Sequence, residues 1–224
     1  MGKLLFLEIK TNLSKLYLGC VIFFICSLFM FGVGNLTHDR ITQFIELIFT
    51  LLGIILFTTI YAIDNTRNTI LIINSKRYHY RFLLLLRLFL TIVFTILLIL
   101  IGLVTFKICN SNVVFIQDIF IALTNTMFIG SLSLFISMIS KNALIGYMFG
   151  LVYFLLCLGF KNMSFMYLFS ETYGFPFYFK LIQFSISILV SIITIYITKK
   201  SKNLIVFRYV IVFYSTLIIG NNFF

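Results

Sequence analysis

Two carboxylates stand inside otherwise apolar stretches of this chain, and they are the residues best placed to do chemistry. Glu46 lies five residues into one apolar run, and Asp118 lies a few residues into another. Ionisable side chains within a bilayer are costly, and they usually mark a substrate path, an ion pair or a proton relay. At about 1.5 Å of rise per helical residue, both lie within about 8 Å of the outer membrane boundary and could share one level.

Two interpretations of these carboxylates stay open. In the first, they pair with Arg40 or Lys107 near the membrane interface. In the second, they form an acidic collar at the exit of a path for cationic cargo. The candidate cargo path of the second interpretation is lined by Glu46, Asp118, Thr50, Thr126 and Ser133.

Small and polar residues recur on single helical faces, at offsets of 0, 4, 7 and 11. These stripes are Glu46, Thr50, Gly53 and Phe57; Thr126, Gly130, Ser133 and Ser137; Gly146, Gly150, Tyr153 and Cys157; and Ser187, Ser191, Thr194 and Thr198. Small residues let membrane helices approach closely, and hydroxyl groups exchange hydrogen bonds there. The stripes therefore predict close helix packing or, alternatively, a polar wall beside a substrate path.

The chain carries none of the motifs expected of a membrane enzyme or an ATPase. A GxxxxGK[ST] phosphate loop, an HExxH helix and a serine nucleophile elbow are all absent from the sequence. A cysteine peptidase needs a thiol within reach of an imidazole, but His79 falls in a predicted cytoplasmic loop and no cysteine does. We predict a noncatalytic protein that binds no cofactor or metal directly.

The composition indicates an all-α polytopic membrane protein. Of the 224 residues, 62% are hydrophobic and only 10% are charged, whereas a soluble domain carries about 25% charged residues. The mean hydropathy is +1.14. The net charge of +11 is concentrated between apolar runs, a pattern that indicates membrane topology and anionic lipid headgroups and not nucleic acid.

The apolar runs divide a single transmembrane domain, residues 1–224, into six predicted spans. They lie at about 16–34, 41–63, 82–106, 115–138, 143–160 and 178–198, and each is close to the roughly 20 residues that cross a bilayer. Residues 1–15 predict an interfacial amphipathic helix. Residues 204–220 predict a seventh segment that either crosses the membrane or lies within one leaflet.

The basic residues predict a cytoplasmic N-terminus. With that orientation, twelve Lys and Arg residues near the spans lie inside, and four lie outside, namely Arg40, Lys107, Lys161 and Lys180. Arg87 is predicted to extend to the inner surface. The outer segment 160–180 is crowded with Phe and Tyr, which indicates an aromatic belt or two short helices separated by the break at Gly174-x-Pro176.

The cytoplasmic segment 64–81 is longer than two antiparallel spans require, and its centre is apolar. It resembles the connection between spans two and three in permease subunits of type 2 ATP-binding cassette (ABC) transporters. Asp64 and Arg67 match the charged cluster of that connection, Asn68-Thr69 stands where Gly-Thr is usual, and an apolar helix follows. The glycine, the proline of the following turn and an acidic residue in the helix are missing here. By this resemblance the ATPase-coupling residues are Asp64, Arg67, Thr69, Ile70, Leu71 and Ile73.

The resemblance implies a permease subunit of an ABC exporter in a bacterial cell membrane. Its partners would be an ABC ATPase subunit, a second permease protomer and membrane lipid. ATP would bind to the ATPase subunit. The expected cargo is an amphipathic or cationic peptide, such as a bacteriocin or toxin, or a lipid-like molecule. Two alternatives remain: a small-molecule-binding membrane subunit of a vitamin uptake system, and an accessory immunity protein without transport activity.

Overall fold

The computed structural model describes residues 14–62, 80–160 and 166–197. Every regular secondary-structure element of more than one turn in these residues is an α-helix. In chain order the helices are α1 Ser14–Phe31, α2 His38–Ala62, α3 Tyr80–Ile108, α4 Phe115–Ser140, α5 Ala143–Gly159 and α6 Tyr178–Ile197. The predicted helical class is confirmed, and each of the six predicted spans corresponds to one helix.

Hydrogen bonds between loops show which ends of the helices lie together. The amide of Asn35 donates to the Cys109 carbonyl at 3.1 Å, and the amide of Asn112 donates to the Leu36 carbonyl at 3.1 Å. The loops 32–37 and 109–114 therefore meet at one end, which we call the upper end. Residues 166–177 reach this end as well, through contacts described below, and Lys141 and Asn142 join α4 to α5 at the lower end.

Local backbone chemistry explains where several helices stop and start. Gly32 has a φ of +73°, a conformation that ends helices and suits glycine, so α1 ends at Phe31 and not at the predicted residue 34. At the lower end Lys141 is left-handed, with φ 54°. The side chain of Asn142 then accepts a hydrogen bond from the Leu144 amide at 2.9 Å and caps α5.

Helices α2 and α4 form the centre of the bundle. Of the 18 most apolar consecutive residues in each of these two helices, 78% are buried. The corresponding share is 39% in α3 and 22% in α6. The outer faces of α3 and α6 expose large apolar side chains such as Phe89, Leu97, Leu189 and Ile192. Such faces suit lipid and not water, because lipid accepts apolar surface that water would exclude.

The glycines of the predicted stripes lie where two helices approach each other closely. A Cβ atom on Gly53 of α2 would lie 2.6 Å from the Thr126 carbonyl oxygen of α4, and one on Gly146 of α5 would lie 2.5 Å from the Ser133 carbonyl oxygen. Gly150 lies against the Ser133 side chain in the same manner. The prediction that these stripes serve helix packing is confirmed for α2, α4 and α5.

Four helices are long and apolar enough to cross a membrane by length and composition: α2, residues Leu84–Ile108 of α3, α4 and α6. The apolar stretches Tyr17–Phe31 and Ala143–Gly159 are shorter. At about 1.5 Å per residue, α5 is about 25 Å long, slightly less than the roughly 30 Å hydrocarbon layer. Residues 1–13, 63–79, 161–165 and 198–224 lie outside the described residues. Most of the predicted segments 1–15 and 64–81 and all of the predicted segment 204–220 fall in these ranges.

The direction of the bundle in the membrane can be tested at two exposed residues. We expect a cysteine at Asn112, on the upper end, to react with an impermeant thiol reagent on intact cells. A cysteine at Lys141, on the lower end, should react only after permeabilisation, because basic residues stay on the cytoplasmic side. Both variants are made in a chain whose four cysteines are replaced by alanine, and the reverse pattern would invert the topology.

Candidate functional site

A buried ion pair joins α2 to α6 near the upper end. The Lys180 Nζ atom lies 2.7 Å from Glu46 Oε1, and neither side chain has any exposed surface. Lys180 is the third residue of α6, and Glu46 is the ninth residue of α2. A charge pair with no access to solvent requires nearly complete hydrogen bonding, since desolvation is otherwise not offset.

The Lys180 ammonium group meets this requirement. Besides Glu46, it donates to Asn125 Oδ1 of α4 at 2.8 Å and to the Leu168 carbonyl oxygen at 2.6 Å. An ammonium group has three N–H donors, and these three acceptors use all of them. Three helices and one stretch of non-helical chain therefore converge on a single nitrogen atom.

The non-helical stretch, residues 166–177, is the inserted segment, and helix side chains bind its backbone. Glu46 Oε1 and Oε2 accept from the amides of Glu171 and Thr172 at 3.3 and 3.1 Å. Gln183 Nε2 donates to the Tyr167 carbonyl at 2.8 Å. Non-helical backbone is tolerated at membrane depth only where the protein satisfies its polar groups. Here the side chains of Glu46 and Gln183 satisfy three of them by hydrogen bonds.

The burial of the inserted segment corrects the prediction of an aromatic belt. Tyr167 and Leu168 have no exposed surface, and Phe169 has 3%, so part of the segment belongs to the core. Tyr173 and Phe177 are exposed, at 48% and 40%.

The two predicted short helices are absent from the described part of the segment, where turns occupy 168–174 and α6 begins at Tyr178. Gly174, with φ +71°, directs the chain through these turns, because glycine adopts that conformation without strain.

Asp118 and His38 form a second polar group at the upper end. Asp118 Oδ2 accepts from the Val114 amide at 2.9 Å and so stabilises the first turn of α4. Its Oδ1 atom lies 4.0 Å from His38 Nδ1, too far for a direct hydrogen bond. Both atoms are buried and have no hydrogen-bond partner, and the Asp118 side chain has no exposed surface.

The Glu171 carboxyl in the inserted segment has a shifted pKa. Burial raises the pKa of its carboxyl above the ordinary value, Lys180 lowers that pKa, and Glu46 raises it. The charges of His38 and Asp118 also act on it, in opposite directions. The Glu46–Lys180 pair and the Asp118–His38 pair are two separate polar groups at the upper end of the bundle.

The other residues of the predicted cargo path are buried within the bundle. Thr50 donates to the Glu46 carbonyl, and Thr126 donates to the Ala122 carbonyl at 2.9 Å. Ser133 has no exposed surface and lies against Gly150. The six predicted ATPase-coupling residues, between Asp64 and Ile73, lie outside the described residues.

The position of Arg87 contradicts the prediction that its side chain extends to the inner surface. Its side chain is 1% exposed and does not extend to the surface of the bundle. Nη1 donates to the Ile60 carbonyl in the last turns of α2 at 3.4 Å. A cation in this position suits the negative end of the α2 dipole, which gives Arg87 a structural role at the lower end.

Three residues of the site, namely Lys180, Asn125 and Gln183, were not expected from the sequence. The sequence indicates Lys180 only as a topology signal, and pairing with Arg40 or Lys107 is one of the two interpretations that it leaves open for Glu46. A signal was nevertheless present, because Lys180 and Gln183 precede Ser187 by seven and four residues and continue the polar stripe of α6. A lysine on a polar helical stripe indicates a buried partner.

Comparisons with known proteins identify no relative. No family model, no curated protein and no solved structure matches the chain. The function is therefore argued from the arrangement of the described helices together with the motif resemblance of segment 64–81.

Proposed function

We propose that the chain is the noncatalytic permease subunit of an ABC exporter in a bacterial cell membrane. A separate ATPase subunit hydrolyses ATP, and a second permease protomer completes the transport path. The cargo is an amphipathic or cationic peptide, or a lipid-like molecule. The chain itself supplies the membrane path and the surface that contacts the ATPase.

The observation that carries the proposal is the order of the six helices, with a long connection between α2 and α3. Type 2 ABC permeases have small outer-leaflet helices between spans five and six. In this chain turns occupy 168–174 instead, and residues 166–172 return into the bundle beside α2, α4 and α6. The agreement with the plan of these permeases therefore lies in the helix order and not in this segment.

Helix α2 provides a mechanical route from the ATPase contact to the upper end. It ends at Ala62, directly before the resembling segment, and it carries Glu46 sixteen residues earlier. The distance along the helix is about 24 Å. In this mechanism closure of the ATPase subunits displaces segment 64–81, and a tilt of α2 then reaches the inserted segment through the Glu46 carboxylate.

The ATPase contact is tested by cysteine reactivity in the apolar centre of the segment. We expect Ile70→Cys and Ile73→Cys to react slowly with a polar maleimide when the ATPase subunit is present and quickly without it. Lys141→Cys is the control. Residue 141 is exposed at the lower end and lies far from the segment in the sequence, so its labelling should be equal in both states. Equal labelling at Ile70 with and without the ATPase would contradict the proposal.

A further inference from the structure

A surface cavity lies at the upper end of the bundle, where α1 ends and α2 begins. Its volume is about 420 Å³, within the roughly 300–1,000 Å³ of clefts that bind small molecules. It is lined by Phe31, Leu36, Thr37, Asp39, Arg40 and Gln43. All of these residues except Leu36 are exposed, so a molecule outside the bundle can reach the cavity.

The polar wall of this cavity carries one charge of each sign. Asp39 and Arg40 are the charged residues of the lining, and Gln43 adds an amide group one turn further along α2. The ion pairs among the described residues join His38 to Asp118 and Glu46 to Lys180, and they involve neither Asp39 nor Arg40. Both charged groups are therefore available to a ligand, and a ligand that matches them is a zwitterion.

Apolar surface adjoins the polar wall. Phe31 lines the cavity and is 44% exposed, and the two residues before it, Phe29 and Met30, are 83% and 87% exposed. Leu18 and Ile22 extend this exposed apolar surface along α1. In a membrane chain such a surface contacts acyl chains, because lipid accepts it and water does not. A ligand of the cavity thus meets polar groups beside α2 and an apolar surface beside α1.

We propose that the cavity binds the headgroup of a zwitterionic phospholipid with a primary ammonium group, the phosphatidylethanolamine class. The Arg40 guanidinium donates to the phosphate, a geometry that suits its planar fork of N–H groups. The Asp39 carboxylate accepts from the ammonium group, and the acyl chains lie along the exposed surface of α1.

The charges of the wall also disfavour two other common lipids. Phosphatidylglycerol carries a net negative charge and supplies no cation for Asp39. Phosphatidylcholine has the matching charges, but its trimethylated nitrogen has no N–H group to donate to the carboxylate. The site should therefore distinguish lipids by headgroup and not by charge alone.

The lipid of this proposal is a resident ligand and not a cargo, so its binding does not rest on the export function. The measurement is native mass spectrometry of the detergent-purified full-length chain, titrated with phosphatidylethanolamine, phosphatidylcholine or phosphatidylglycerol of identical acyl chains. We expect the first bound phosphatidylethanolamine to appear at about tenfold lower concentration than either other lipid, because one charge-assisted hydrogen bond is gained. Failure of this test would leave the Ile70→Cys test untouched.

Two variants assign the contacts within the cavity. Arg40→Gln should weaken binding of phosphatidylethanolamine and phosphatidylcholine alike, by about tenfold, because both lose the phosphate contact. Lys107→Gln is the matched control, since it removes an equal charge from an exposed lysine at the same end, and it should change binding by less than about twofold. Asp39→Asn should reduce phosphatidylethanolamine binding to the level of phosphatidylcholine and leave phosphatidylcholine binding unchanged.

Several results would overturn the site. Equal weakening by Arg40→Gln and Lys107→Gln would indicate diffuse surface attraction, and equal or tighter binding of phosphatidylglycerol or phosphatidylcholine by the wild-type chain would exclude recognition of the ammonium group. Binding of soluble glycerophosphoethanolamine as tightly as the lipid would exclude the contact with α1. The headgroup comparison uses the wild-type chain, so it tests the proposal even if a variant elutes as an aggregate.

Discussion

Replacing Lys180 by methionine is expected to lower the free energy of unfolding by about 3–5 kcal/mol. The substitution leaves the Glu46 carboxylate as a buried charge without a counterion. It also removes the donor to Asn125 Oδ1 and one of the two donors to the Leu168 carbonyl. The measurement is the melting temperature of the detergent-purified chain, which should fall. It is obtained from the amount of chain that still elutes as a monodisperse peak in size-exclusion chromatography after heating.

A second variant separates the ion pair from the packing around it. Combining Glu46→Gln with Lys180→Met removes both charges, and the glutamine oxygen still accepts from the amide of Thr172 or Glu171. Since a buried pair often contributes little net stability over neutral residues, most of the loss should be recovered. Lys107→Met, at an exposed lysine of the same end, is the control. Equal melting of Lys180→Met and wild type, or additive losses in the double variant, would contradict the ion pair.

Gly53→Ala is expected to destabilise the bundle by about 1–3 kcal/mol through overpacking. The new methyl group would lie 2.6 Å from the Thr126 carbonyl oxygen and 2.9 Å from its Cα atom. Both are backbone atoms of α4, so no side-chain rotation relieves the clash and the two helices must separate. The measurement is the melting temperature of the purified chain.

Gly19→Ala in α1 is the matched control for this prediction. Nothing lies within 4 Å of the position that its Cβ would occupy, and alanine favours helices over glycine by about 1 kcal/mol. It should leave the melting temperature unchanged or raise it. A similar fall for both variants would show that close contact between α2 and α4 is not what requires glycine at position 53.

The sequence by itself determined the elements and much of their packing. Apolar runs of about 20 residues must form helices in lipid, because no other open structure satisfies the backbone there, and all six runs are helical in the described residues. The stripes of small residues predicted close helix packing, and Gly53 packs closely against Thr126 in the structure. Helical periodicity is a local property of the chain, so it can be read without knowledge of the fold.

The tertiary structure alone decided the partners of the charges and the place of the inserted segment. Glu46 and Lys180 are 134 residues apart in the sequence, and only the packing of α6 beside α2 and α4 brings them to 2.7 Å. Tyr167 and Phe169 are aromatic residues of the kind found in an interfacial belt, yet this stretch lies in the core. Side chains on the helices hold it there by hydrogen bonds to the backbone carbonyls of Tyr167 and Leu168, and the donors are Lys180, Gln183 and Asn125. Side chains from distant helices make these bonds. Helical periodicity indicates that Lys180 has a buried partner, but it cannot identify that partner.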